Sequence, residues 1–207
     1  MKFIYNSPFT IMVLQLLFAS QNKHKAEEIK PLLPSSIQLL SLSELGFFEE
    51  IPETSPTLAG NALQKAEFIF NKFHIPCFAD DTGLEIAALD GRPGVYSARY
   101  AGENKSADDN IQKVLGELSG IKNRSAEFKT IIALVGFGDP LLFEGVVKGM
   151  ITQDKIGTNG FGYDPIFMPE GYSQTFAQMS LEEKNQLSHR AKAVNNFAAY
   201  MKMNIGK

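Results

Sequence analysis

The 207-residue sequence holds a single cysteine, Cys77. That excludes an internal disulfide and any zinc site built from several cysteines. No apolar run is long enough to span a bilayer, and the P-loop pattern G-x4-G-K-S/T is absent. Excess basic charge is missing too. Lys and Arg total 20 against 23 Asp and Glu, a net charge of −3. No global positive field therefore draws the chain to nucleic acid or to an anionic membrane. There is no repeat of fixed period, no low-complexity tract and no recognisable linker. What remains is 44% hydrophobic and 21% charged, an ordinary globular composition and enough chain to bury a sizeable core.

Lys2 followed by the apolar run Ile11–Ala19 has the look of a signal peptide. However, Phe18-Ala19-Ser20-Gln21 makes a poor small-x-small cleavage site. Leu14–Ala19 reads better as a first buried strand, apolar enough for a central parallel position covered on both faces. The expectation is a cytoplasmic protein. Residues 1–13 form an N-terminal extension and 14–207 a single domain.

Further along, a helix is expected from Lys23 to Leu33, stopped by Pro34, and a strand over Ile37–Leu40. Thr57 fits the N-cap of a helix through Phe73, with Leu58, Ala62, Ala66, Ile69 and Phe73 near helical spacing. Ile75–Ala79 reads as a short strand ending in a turn, Asp80-Asp81-Thr82-Gly83, after which Leu84–Leu89 resumes. Ser106 caps a helix to Leu118, with Asp109 at the capping-box position. Phe128–Gly136 and Leu141–Ile151 pair across Gly138-Asp139-Pro140. A glycine-rich loop occupies Gly157–Asp164, a helical turn Leu181–Asn185, and a last helix runs from Ser188 to about Met203. Strands and helices mix without strict alternation, which favours an α/β fold with a mixed sheet.

Four stretches could carry chemistry. The strand-to-helix turn Ser20-Gln21-Asn22-Lys23-His24-Lys25 offers helix N-terminal amides and two lysines to an anion. The other reading is a polar helix start with solvated lysines. Asp80 and Asp81 are adjacent carboxylates at the end of a buried strand. They must be solvated, hydrogen-bonded or bound to a cation. Carboxylates plus water suit magnesium, and one acid could orient or deprotonate water. The other reading is a turn in which Asp80 or Asp81 accepts from amides near Gly83. Glu53 could add a third oxygen ligand. In Gly157–Pro165, three glycines allow close backbone approach, and Phe161 and Tyr163 offer a stacking face or fill a core. Asp164, before Pro165, should be extended. Finally, Ser188 as N-cap would put His189 and Arg190 on a first helical turn, where cations oppose the dipole. Together these parts describe a site for a nucleoside triphosphate.

SQNKHK, ETSPTLAGNALQKA, FADDTGL, PGVYSARYAG, GTNGFGYDPIF and LEEKNQLSHRAKA stand in this order from Leu14 to the C-terminus. In motif, order and spacing the chain resembles the inosine triphosphate pyrophosphatase family. The resemblance implies an elongated mixed β-sheet with flanking helices, two lobes around a central cleft, and a homodimer. It implies magnesium-dependent hydrolysis of ITP, dITP and XTP to the monophosphate and pyrophosphate. Ser20 to Lys25 then contact phosphates, Glu53 and Asp81 hold the metal, and Lys65 binds phosphate. Asp81 is the proton acceptor, with Thr82 following it where Ser is common. Phe161, Gly162, Tyr163 and Asp164 bind the base with Phe161 stacking, and Lys184, His189 and Arg190 recognise its edge. Leu58 and Gly60 depart from the pattern, the glycine at an expected cost to its helix of about 1 kcal/mol.

The remaining alternatives are a non-catalytic nucleotide-binding module and a metal-dependent phosphatase of another ester. On the favoured reading, the −3 total conceals a local convergence of Lys23, Lys25, Lys65, Lys184 and Arg190 with Glu53, Asp80 and Asp81.

Overall fold

A computed structural model describes residues 3–4, 13–104 and 106–204. The strands are β1 (Phe3–Ile4), β2 (Val13–Phe18), β3 (Ile37–Ser41), β4 (Cys77–Ile86), β5 (Pro93–Gly94), β6 (Ser125–Val135), β7 (Leu141–Ile151) and β8 (Phe167–Pro169). The helices are α1 (Lys23–Ile29), α2 (Leu58–Phe73), α3 (Ala107–Glu117), α4 (Leu181–Leu187) and α5 (His189–Asn204). Hydrogen bonding orders the strands β1-β2-β4-β6-β7-β8, with β3 on β2 and β5 on β4. β2 runs parallel to β3 and β4, whereas β1/β2, β4/β5 and β7/β8 are antiparallel. The sheet is mixed, as expected.

Residue contacts divide the chain into two compact units interleaved in sequence, which is why no linker is visible. The first comprises 1–81, 131–144 and 191–207, and the second 82–130 and 145–190. In the first, β2, β4, β6 and α5 contribute Leu16, Phe18, Phe78, Ile132, Val194 and Phe197 to one buried cluster. Phe78 stacks on Phe18 at 4.9 Å and packs on Phe197 at 5.0 Å. Full burial of such side chains is worth about 1.5–3 kcal/mol each. The second unit has its own core, including Leu84, Ile111, Val114, Phe128, Tyr163, Phe167 and Phe176.

Several boundaries differ from expectation, each for a local reason. α1 ends at Ile29 and tightens into a 3-10 turn over Lys30–Leu32. Pro31 has no amide to continue the α-helix, so the stop precedes Pro34. β2 starts at Val13, inside the expected extension; of residues 1–12 only Phe3 and Ile4 are described, and both pair with β2. The turn expected at Asp80–Gly83 does not form, because β4 runs unbroken from Cys77 to Ile86 and gives way to a 3-10 turn at Ala87–Leu89. Leu181–Leu187 is a full short helix with a capping box between Ser180 and Glu183. Ser188, extended at φ −65° and ψ 155°, then separates α4 from α5.

Candidate functional site

In the first unit, β4 delivers Asp80 and Asp81 to a cluster with lysines from α1 and α2. Asp80 is fully buried and accepts from Lys25 Nζ at 3.0 Å. Asp81 accepts from Asn61 Nδ2 at 3.3 Å and from Lys65 Nζ at 3.4 Å. Lys65 Nζ also donates to Glu53 Oε1. The loop bearing Glu53 is stitched to α2. Thr54 N donates to Gln64 Oε1 at 2.9 Å, Gln64 Nε2 donates back to Thr54 Oγ1 at 2.9 Å, and Ser55 N donates to Asn61 Oδ1 at 2.8 Å. Thr57 caps α2 by accepting from Gly60 N at 3.0 Å. A Cβ on Gly60 would overlap the Ser55 hydroxyl. The glycine is thus a fitted residue of this loop–helix junction rather than a defect.

Three carboxylates face two ammonium groups here. Burial holds the Asp81 carboxyl above the ordinary carboxylate range. Lys65 and Lys25 pull it down and Glu53 and Asp80 add to the rise. Burial alone would lower Lys65, but Asp81, Glu53 and Asp80 outweigh it and raise its pKa, so the ammonium stays charged. Among the described residues no group of three or more His, Cys, Asp or Glu is arranged to hold a metal. Glu53 and Asp81 nonetheless fit a hard divalent cation chemically. Both supply carboxylate oxygen, and both already share one positive charge, the Lys65 ammonium.

The turn before α1 contributes unevenly. Asn22 caps the helix by accepting from Lys25 N at 3.2 Å, and Asn22 N donates to Ser20 Oγ at 3.2 Å. Gln21 Nε2 donates to Glu49 O at 2.9 Å. Lys23 and His24 are exposed, His24 lying 3.6 Å from Glu27 on the same helix. Lys25 is the residue of this stretch seen reaching the carboxylates.

A second cluster lies in the second unit. Asp164 is buried and accepts from Phe161 N at 2.8 Å and from Lys184 Nζ at 2.6 Å. It starts a 3-10 turn over Asp164–Ile166 instead of being extended, since Pro165 is well placed at a helical start. Gly160, at φ +72°, must be glycine because a Cβ would strike this carboxylate. Lys184 Nζ and the Arg190 guanidinium lie 5.2 and 5.5 Å from the centre of the half-buried Phe161 ring. His189 stacks on Phe128 at 4.6 Å with its Nδ1 2.7 Å from Thr130 Oγ1. Arg190, 2% exposed, donates to Thr82 Oγ1 at 3.1 Å. Of the two aromatics expected as a platform, only Phe161 sits among these cations. Tyr163 is turned into the core, its hydroxyl donating to Ser97 O at 2.8 Å.

Thr130, Asn61 and Ser97 were not among the candidates from sequence. Thr130 did leave a trace, as the one hydroxyl in the otherwise apolar run Thr130–Val135 that follows Lys129. Asn61 leaves none beyond its place one turn before Lys65.

The first unit of this mixed α/β protein thus carries a lysine-braced carboxylate cluster, and the second a cation–aromatic cluster. The chain belongs to the Ham1 family, whose model matches residues 16–200. A dITP/XTP pyrophosphatase of Flavobacterium johnsoniae is 56% identical over 181 residues, 87% of this chain and 94% of that one. The Staphylococcus aureus Ham1 protein superposes with a TM-score of 0.84 at 40% identity, covering 91% of this chain and 98% of that chain. A HAM1 protein from Coxiella burnetii gives 0.85 at 38% identity, covering 92% and 100%. Among the described residues no helix is long and apolar enough to cross a membrane.

Proposed function

We propose that this chain hydrolyses ITP, dITP and XTP to the monophosphate and pyrophosphate, clearing deaminated purines from the nucleotide pool. The observation that carries the proposal is the Lys25–Asp80 and Lys65–Asp81–Glu53 set around the buried Asp80, Asp81 and Lys65, in a chain 56% identical to a dITP/XTP pyrophosphatase.

In this reading Lys25 and Lys65, helped by Lys23 and the polar groups of Ser20, Gln21, Asn22 and His24, offset phosphate charge. Asp81 accepts the proton of the attacking water. Its raised pKa makes it a stronger base than an exposed aspartate, as a general base at neutral pH requires. Glu53 and Asp81 would hold magnesium, which when bound supplies charge neutralisation on the phosphate oxygens. Asn61 holds Asp81 in place by the bond to its Oδ2. Positioning and charge stabilisation, rather than covalent chemistry, lower the barrier.

Phe161 stacks on the purine, while Lys184 and Arg190 keep its ring oriented. Asp164 fixes the Phe161 amide and so the loop through Gly162 and Tyr163. His189, Arg190 and neighbouring amides donate to the 6-oxo oxygen. Adenine carries an amino donor there and would leave those donors unpaired, a mismatch that can discriminate by about 10⁴-fold. The enzyme acts as a homodimer in the cytoplasm.

A panel of ITP, XTP, dITP, GTP and ATP, with magnesium or with EDTA, tests this by the product formed. Magnesium-dependent pyrophosphate from the first three supports it. Orthophosphate would indicate a phosphatase, and binding without turnover a nucleotide-binding module.

A further inference from the structure

A buried row of hydrogen bonds joins Arg190 to its own neighbour His189 through two threonines on β4 and β6. Arg190 Nη2 donates to Thr82 Oγ1 at 3.1 Å. Thr82 Oγ1 and Thr130 Oγ1 are 2.7 Å apart. Thr130 Oγ1 is in turn 2.7 Å from His189 Nδ1. Thr130 is completely buried, and the stacking of His189 on Phe128 fixes the ring plane.

The direction of the protons follows from the charged end. A guanidinium only donates, so the Thr82 oxygen accepts. A fixed cation orients the hydroxyl dipoles with their hydrogens pointing away from it, and each bond strengthens the next. Thr82 then donates to Thr130, and Thr130 donates to Nδ1 of His189. The opposite direction would aim the Thr130 O–H dipole and a ring N–H toward the cation. With Nδ1 accepting, the proton of the neutral imidazole resides on Nε2.

We propose that Thr130 is a positioning residue which, together with Thr82, locks His189 as the Nε2–H tautomer and thereby selects bases with an oxygen at position 6. The selectivity half of this inference rests on the function proposed above. An Nε2–H donor matches a 6-oxo group and faces the 6-amino group of adenine donor to donor. The other tautomer would present a lone pair to that amino group and invert the preference.

Long-range ¹H–¹⁵N spectra of ¹⁵N-histidine-labelled protein read the tautomer directly. The chain has three histidines, and a His189→Gln sample assigns the signal. Above the titration of the ring, wild type should show a pyridine-like Nδ1 and a pyrrole-like Nε2. Thr130→Val should shift the ring toward Nδ1–H and Thr130→Ser should restore it. With ITP, Thr130→Val should raise KM about tenfold, the loss of roughly one hydrogen bond, with kcat little changed. The ITP-to-ATP ratio of kcat/KM should fall by at least that factor, and Thr130→Ser should recover it. A pyrrole-like Nδ1 in wild type would overturn the proposal, whether or not Thr130→Val folds. So would a folded Thr130→Val protein with the wild-type tautomer and selectivity. If wild type fails to turn over ITP, the functional reading falls while the spectra still decide the tautomer.

Discussion

Lys65 Nζ lies 3.4 Å from Asp81 Oδ1, so the acid assigned to take the proton from water is braced by a cation from α2. Despite that brace, burial keeps the Asp81 pKa above the ordinary carboxylate range. A carboxylate shifted this way favours the folded state when protonated. Its contribution to stability is complete below the ordinary range and lost as pH rises through the raised value. Asp81→Asn should therefore lower kcat by about 10³-fold yet melt no lower than wild type near pH 8. Its advantage should shrink as pH falls. Turnover with ITP and melting curves across pH check both halves, and a normal rate in the folded variant would sink the assignment.

Lys65→Met should behave oppositely. The Lys65 pKa is raised by its carboxylate neighbours, so its stabilising contribution is present at neutral pH. That contribution is lost only as pH rises through the raised value, above the ordinary lysine range. Removing one partner of a buried pair strands the other, at a cost of about 3 kcal/mol. Urea unfolding at pH 7 should show a loss of that size. KM for the triphosphate should rise as well.

Phe161 and Tyr163 are two residues apart and should separate cleanly. Phe161→Ala removes the stacking ring and should raise KM by about 10- to 100-fold, the worth of one base–aromatic stack, with little change in stability. Tyr163→Phe deletes the bond to Ser97 O and should cost about 1 kcal/mol of stability while leaving KM alone. Steady-state kinetics and denaturant titration on the same samples distinguish the two.

Gly60→Ala would ordinarily strengthen a helix. Here its Cβ meets Ser55 Oγ, which itself accepts from Thr57 N at 3.2 Å. Destabilisation by about 1–3 kcal/mol is expected from the overpacking. Ser55→Gly should suppress it, and a double-mutant cycle measures the coupling.

Much of this was legible in the sequence. The caps at Thr57 and Ser106, the bounds of β7 and the placement of His189 and Arg190 at the start of α5 were readable because capping and periodicity are local. β4 was not. Asp80-Asp81-Thr82-Gly83 has turn composition, but lysines from α1 and α2 neutralise the two acids and let the strand pass through. Tertiary partners overrode local propensity there. The same limit left open which of Phe161 and Tyr163 turns into the core, since the Tyr163 hydroxyl bonds Ser97 O, far away in sequence. It also hid Thr130, whose partners stand 48 and 59 residues away.

Cys77 begins β4 wholly buried, its thiol directed at Ala66 O and its pKa pushed up to about 12 by burial. Alkylating reagents act on exposed thiolates, so the native protein should stay dark to maleimide dyes while folded. A cysteine introduced at an exposed position such as Phe48 or Tyr96 would then carry the entire label. The molecule comes ready for site-specific fluorescence, with no background thiol to remove.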